Sequence, residues 1–206
     1  MCGFSFGISK DKNLINEIKL MNKKIVHRGP DKEKFVNSDI FERRKEKRLI
    51  NFSAGFRRLK IIDLSNKANQ PMFYDNRYLI VFNGEIYNYI ELKNILIKKN
   101  YKFKTKSDTE VILAAYDFWG NDCFNLFNGM WSIIIYDHLT NNLIACRDRY
   151  GVKPLYYRKI KDSLFFASEI KQLLVLNKEN KINKKSLSNY LHHDLISFDE
   201  NTFVEN

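Results

Sequence analysis

Tyr78-Leu79-Ile80-Val81-Phe82-Asn83-Gly84-Glu85-Ile86-Tyr87-Asn88 is an apolar strand that runs straight into Asn-Gly, and its place in the chain decides the architecture. Strand-like segments come before it, two helical segments follow, and strands then return. That order predicts an α+β fold of stacked sheets with helices outside, and argues against a doubly wound parallel sheet. Asn83-Gly84 reads in two ways. It is a hairpin turn pair. It also offers a side-chain amide and an unobstructed backbone N–H at the end of a strand, the donors that stabilise a developing oxyanion.

Downstream, apolar spacing predicts helices over 89–98 and 108–119, the second with Val111, Ile112, Ala115 and Phe118 on its apolar face. Ser107 with Glu110 forms a capping-box pattern at its start. Strands are expected over 130–136, 142–146, 155–157 and 163–167, then helices over 169–176 and 184–193. Upstream, residues 2–8 read as a short buried strand, and Leu14, Ile15, Ile18 and Met21 recur at helical spacing. His27-Arg28-Gly29-Pro30-Asp31 is punctuated as a loop. Strands are expected over 34–41 and 49–62, with a polar loop over 63–70.

Composition narrows the function classes. The chain has 206 residues, 35 Lys and Arg against 24 Asp and Glu, and a formal charge of +11. Hydrophobic residues at 44% and aromatics at 14% can fill a large core, which excludes a disordered chain. No apolar run approaches the roughly 20 residues that a transmembrane helix needs. The start lacks a basic segment and a cleavage site, so no secretory signal is read there. The basic excess invites a nucleic-acid reading, but Lys, Asn and Ile are abundant throughout. Its one dense cluster, Arg43-Arg44-Lys45-Glu46-Lys47-Arg48, reads as a solvated loop or hairpin. A non-catalytic basic binding module stays as the competing class. Cys2, Cys123 and Cys146 show no zinc spacing, and three thiols cannot all pair, which points to a reducing cytoplasm. Cys123 and Cys146 read as core residues. His192-His193 reads as a helix end, because no third metal ligand accompanies it.

Cys2 carries the chemistry. Removal of Met1 would expose an α-amine, with a pKa of about 7.7–8.0, beside the thiol it could deprotonate. The plainer reading is a small buried hydrophobe opening a strand. Arg57-Arg58 lies in a strand, so alternation sends one guanidinium toward a pocket, where it can hold a carboxylate bidentately. Asp108, in the first turn of a helix, can hold an ammonium or simply favour the helix dipole. A thiol nucleophile, oxyanion donors, a carboxylate binder and an ammonium binder together outline a glutaminase site.

Nine motifs stand in order: Met1-Cys2-Gly3, His27-Arg28-Gly29-Pro30-Asp31, Arg58-Leu59-Lys60-Ile61-Ile62-Asp63, Gln70-Pro71-Met72, Asn83 to Asn88, Ser107-Asp108-Thr109-Glu110, Gly129-Met130-Trp131, Arg147 to Tyr157, and Ala167-Ser168-Glu169-Ile170-Lys171. With them the sequence resembles the N-terminal class II glutamine amidotransferase domain of glutamine-hydrolysing asparagine synthetases over nearly its whole length. The resemblance implies a four-layer αββα N-terminal-nucleophile hydrolase sandwich of two mainly antiparallel sheets. It implies Cys2 as nucleophile, with Asn83 and Gly84 as oxyanion donors. It implies Arg58 on the glutamine carboxylate, Leu59, Lys60, Ile61 and Ile62 lining the pocket, and Asp108 with Glu85 on the ammonium.

The amidotransferase domain is expected over 1–180, with 181–206 a helix and tail leading toward a C-terminal synthetase domain that is absent here. No phosphate-binding glycine loop occurs. No metal or cofactor is therefore expected in this chain, and ATP and Mg belong to the absent domain. The expected partners are glutamine and that synthetase domain or subunit as ammonia acceptor, with no nucleic acid, no membrane, and a homodimer allowed. The expectation is a chain that hydrolyses glutamine but does not make asparagine alone. The same half could also serve a sugar or peptide acceptor.

Overall fold

The computed structural model describes residues 1–41, 50–177, 179–196 and 201–205. Two sheets, antiparallel throughout, form its centre. One contains β1 (Gly3–Ser9), β2 (Lys32–Asn37), β3 (Asn51–Arg58), β8 (Tyr156–Ile160) and β9 (Ser163–Ala167), in the order β2-β3-β1-β9-β8. The other runs β4 (Met72–Tyr74), β5 (Tyr78–Ile86), β6 (Gly129–Asp137), β7 (Asn142–Arg147). The described helices are α1 (Ile15–Lys23), α2 (Tyr89–Lys98), α3 (Asp108–Trp119), α4 (Cys123–Leu126), α5 (Ile170–Leu174) and α6 (Lys184–His193).

Side-chain alternation builds the layers. From the first sheet Phe4, Phe6, Phe52, Ala54 and Phe56 face inward and meet Leu79, Val81, Ile134 and Tyr136 of the second. The alternate residues of β5 and β6, Ile80, Phe82, Ile133 and Ile135, face the other way onto Leu92 and Leu96 of α2 and Val111–Ala115 of α3. On the far side of the first sheet, Leu14 just ahead of α1, Ile18 and Met21 of α1 and Leu173 of α5 cover Phe165 and Ala167. The result is the expected αββα order, helix, sheet, sheet, helix. Each fully buried large apolar side chain contributes about 1.5–3 kcal/mol, so the inter-sheet phenylalanines dominate the hydrophobic stabilisation of that layer.

Several local expectations change. The strand over 34–41 ends at Asn37, and Ser38–Phe41 is a 3-10 turn. The strand expected to reach 62 ends at Arg58, since 59–62 turn away to line a pocket. Asn83-Gly84 is not a turn. β5 continues to Ile86, paired Asn83 to Ser132 and Gly84 to Trp131. The capping box is half formed: the Ser107 hydroxyl accepts from the Thr109 N–H, whereas Glu110 takes the N–H groups of Lys104 and Thr105. β4 and α4 were not read from the sequence, being three and four residues long. Cys123 is buried, whereas Cys146 is only half-buried.

After α5 the chain reaches α6, and 203–205 fold back on 181–183. Asn183 donates to the Phe203 carbonyl, Glu205 donates to that of Lys181, and Tyr190 packs edge-on against Phe203. The basic run 43–48 and its expected loop lie outside the described residues. No helix among the described residues is long and apolar enough to cross a membrane.

Candidate active site

A pocket opens where the start of β1, the end of β3 and the free edge of β5 converge. Cys2, Arg58, Leu59, Ile61, Ile62, Gly84, Glu85 and Asp108 all line it. Lys60 is not among the lining residues; its backbone N–H donates to Asp31 instead. Asn83 also stands off the pocket wall, buried beside it at 1% exposure.

Cys2 is fixed at both its backbone and its thiol. Arg28 Nε donates to the Cys2 carbonyl at 2.8 Å, and Arg28 Nη1 is tied to Glu169 at 2.9 Å. Burial pushes the Glu169 carboxyl up, but hydrogen bonds from Lys171, Arg28 and His27 outweigh it and hold it at about 2. That anion locks the clamp. At the other end, the Leu59 N–H donates to Cys2 Sγ at 3.3 Å. Burial raises the thiol above its ordinary value, against this N–H and the positive charges of the chain terminus and Arg58.

The register of β5 and β6 dictates where donors point. Trp131 exchanges both backbone groups with Asp148 on the β7 side, so neither is turned toward Gly84. Gly84 therefore occupies a non-hydrogen-bonded position of the ladder, and its N–H points to the free edge of β5. So do those of Phe82 and Ile86. The Phe82 N–H is taken by Gln70 Oε1 at 2.6 Å and the Ile86 N–H by Asp108 Oδ2 at 3.1 Å. Between them the Gly84 N–H is left at the pocket. A side chain at 84 would collide with the Met130 carbonyl and the Trp131 backbone, which requires glycine there. The neighbouring Asn83 Nδ2 is buried with no hydrogen-bond partner among the described residues, a state that ordinarily costs about 1–3 kcal/mol.

Arg58 and Asp108 face the same space with opposite charge. Arg58 is 7% exposed; its Nη1 donates to the Ser65 carbonyl and Asn69 Oδ1, and Nη2 donates to the Asp63 carbonyl. Its Nε and the second Nη2 hydrogen have no partner among the described residues, which leaves one edge of the fork for a carboxylate. Arg57 points to the opposite face and pairs with Glu33 at 2.7 Å. Burial raises Asp108 to about 6, against the N–H groups of Ile86 and Thr109 and the Ser107 hydroxyl, and the charge of Glu85 adds to the rise.

Arg28, Gln70 and Asp63 brace the elements around the pocket, a role the sequence reading did not assign to them. Gln70 braces β5 against Thr109 of α3, and Asp63 ties the Arg58 loop to the Lys106 N–H. Their signal was their presence in the ordered motifs. Among the described residues no group of three or more His, Cys, Asp or Glu is placed to hold a metal ion.

A family model described as "Glutamine amidotransferase domain" matches residues 1–206. Glutamine-hydrolyzing asparagine synthetase 1 of Bacillus subtilis (strain 168) is 39% identical over 202 residues, covering 95% of this chain and 30% of that protein. Glutamine-hydrolyzing asparagine synthetase 2 of the same organism is 41% identical over 157 residues, covering 76% of this chain and 19% of its own length. The chain thus spans under a third of these curated relatives. Among solved structures, the glutamine phosphoribosylpyrophosphate amidotransferase of B. subtilis superposes with a TM-score of 0.64 at 19% identity, over 84% of this chain and 43% of that one. The two chains share the same overall fold.

Proposed function

The chain belongs to the glutamine amidotransferase domain family, and from that premise we propose that it hydrolyses the side-chain amide of glutamine through a thioester on Cys2. The observation that carries this reading is the Gly84 N–H left open at the pocket edge beside an Asn83 Nδ2 that has no partner among the described residues. In this reading both donate to the carbonyl oxygen that gains negative charge when Cys2 attacks.

Arg58 holds the substrate α-carboxylate on its free edge, and Asp108 with Glu85 holds the α-ammonium. These two anchors at one end of the pocket direct the side-chain amide toward Cys2. With Met1 removed, the α-amine of Cys2 takes the thiol proton, and Sγ attacks the amide carbon. The oxyanion collapses, the C–N bond breaks, and the amine returns the proton to the departing ammonia. Water then attacks the thioester, releasing glutamate and regenerating the thiol. Because the thiol is raised by burial, the adjacent base is needed at neutral pH.

The ammonia acceptor in this reading is aspartate, as the relatives' name, glutamine-hydrolyzing asparagine synthetase, suggests; its activation with ATP and Mg is assigned to a synthetase domain or subunit outside these residues. The test is glutamate release by the purified chain and by Cys2→Ala, with and without ATP and aspartate. Release by the native residue, none by Cys2→Ala, and no asparagine in either case is expected. Asparagine formed by this chain alone would contradict the division of labour.

A further inference from the structure

We propose that Lys153 is a positioning residue of the mature amino terminus: once Met1 is gone, its buried ammonium stands beside the new α-amine of Cys2 and holds it uncharged, ready for the thiol proton. The proposal rests on the reading of Cys2 as an N-terminal nucleophile.

Lys153 is 6% exposed, and its Nζ donates to the Met1 thioether sulfur at 3.0 Å. A thioether is a weak acceptor. Buried ammonium groups are ordinarily paired with a carboxylate. Among the described residues Nζ forms no ion pair and no other hydrogen bond. Stability alone therefore gives no account of a lysine here, whereas its contact with residue 1 places the charge at the chain start.

The segment that delivers it is rigid. The Lys153 N–H donates to Asp148 Oδ2 at 2.9 Å, and the Lys153 carbonyl accepts from Arg147 Nε at 2.8 Å. The Asp148 carboxylate also receives the N–H groups of Trp131, Tyr150 and Val152. Trp131 lies opposite Gly84 in the sheet register. Lys153 is thereby locked to the same strand pair that carries the oxyanion donors.

The charged and titratable groups around Nζ are Arg28, Asp148, Glu85 and Cys2. Arg28, paired through Nη1 with Glu169, brings a second cation, whose Nη2 is buried without a partner among the described residues. Burial, then the Arg28 charge, lowers the pKa of Lys153 itself. A third cation beside Lys153 and Arg28 is disfavoured by like charge, so the α-amine loses its proton more readily than an exposed one. Lys153 keeps its own proton throughout; the proton that moves passes from Sγ to the amine and then to ammonia.

The experiment compares the chain, its Met1 removal verified by mass, with Lys153→Met, Lys153→Gln and Lys153→Arg. Two readouts are taken across pH: kcat and KM for glutamine, and the rate of Cys2 alkylation by iodoacetamide. In Lys153→Met and Lys153→Gln the acid limb of kcat/KM should move up by about one pH unit, a loss of about tenfold below it that vanishes at alkaline pH. KM should stay within about twofold, the alkylation profile should move the same way, and Lys153→Arg should keep the original limb. An unshifted limb in the two neutral variants, or an equal loss at every pH, overturns the proposal. If the unaltered chain releases no glutamate, the hydrolase reading fails, and the alkylation profile still decides whether Lys153 acts on the amino terminus.

Discussion

Leu59 brackets the thiol of Cys2: its N–H donates to Sγ at 3.3 Å, and Sγ points its own hydrogen at the Leu59 carbonyl at 3.4 Å. That geometry suits a thiol that can donate to the carbonyl, beside an N–H that favours the thiolate. Burial keeps the thiol above its ordinary value. The proton therefore needs an acceptor, and only an amine at residue 2 stands directly on the same residue. A form that retains Met1 should fold normally and lose about a hundredfold or more of its glutamine hydrolysis, the share a positioned general base supplies. Intact mass and steady-state rates on matched samples check this.

Asn83 should separate catalysis from folding. Removing one oxyanion donor costs about a hundredfold to a thousandfold in kcat. Asn83→Ala should show that loss with KM for glutamine nearly unchanged. Its thermal stability should not fall much, because the amide Nδ2 has no partner among the described residues.

Arg58 offers its free guanidinium edge to the substrate while its other donors pin the loop at 63–69. A lysine there keeps the charge but not the fork. Arg58→Lys should raise KM by about a hundredfold, the worth of two charge-assisted hydrogen bonds. Accompanying destabilisation should appear as a lower melting temperature, from the lost loop contacts.

Asp108 couples binding to pH. Its folded-state value of about 6 lies above the 3.8 of an unfolded carboxyl. The folded state thus binds more protons between the two values, and this group lowers stability as pH rises from about 4 to about 6. Above that window the cost is fully present, at most about 3 kcal/mol for a shift of this size. Asp108→Asn should therefore melt higher than the unaltered chain at pH 7.5 and gain little at pH 4, while losing glutamine binding. In the unaltered chain, KM should climb as pH falls through about 6, since only the ionised carboxylate pairs with the ammonium. Calorimetry and pH-resolved kinetics measure both.

Much of this was legible in the sequence, and the exceptions have physical reasons. The bounds of α2 and α3 agree with their apolar spacing, which a helix packed on one face must show, although Phe118 at the end of α3 is exposed; α6 has the expected bounds but no buried residue. The alternation of Arg57 and Arg58 correctly sent them to opposite faces, but did not say which met the pocket. Leu59, Ile61 and Ile62 look like strand residues because pocket walls and cores both use apolar side chains, so the strand was extended too far. Asn83-Gly84 carries turn chemistry in isolation. In the protein Gly84 is there for close packing on Met130 and Trp131, a long-range contact that no local pattern contains. The clamp from Glu169 through Arg28 to Cys2 spans most of the chain and has no local signal.

The most direct test of the account is to trap the intermediate. The Met1-processed chain is mixed with glutamine and quenched in acid within a turnover, and its peptides are then weighed; hydroxylamine is added to a parallel sample. The account predicts a γ-glutamyl adduct on Cys2 alone, converted by hydroxylamine to the free hydroxamate, and absent from Cys2→Ala. Glutamate release by Cys2→Ala at the rate of the unaltered chain, or turnover with the adduct on another residue, would contradict it.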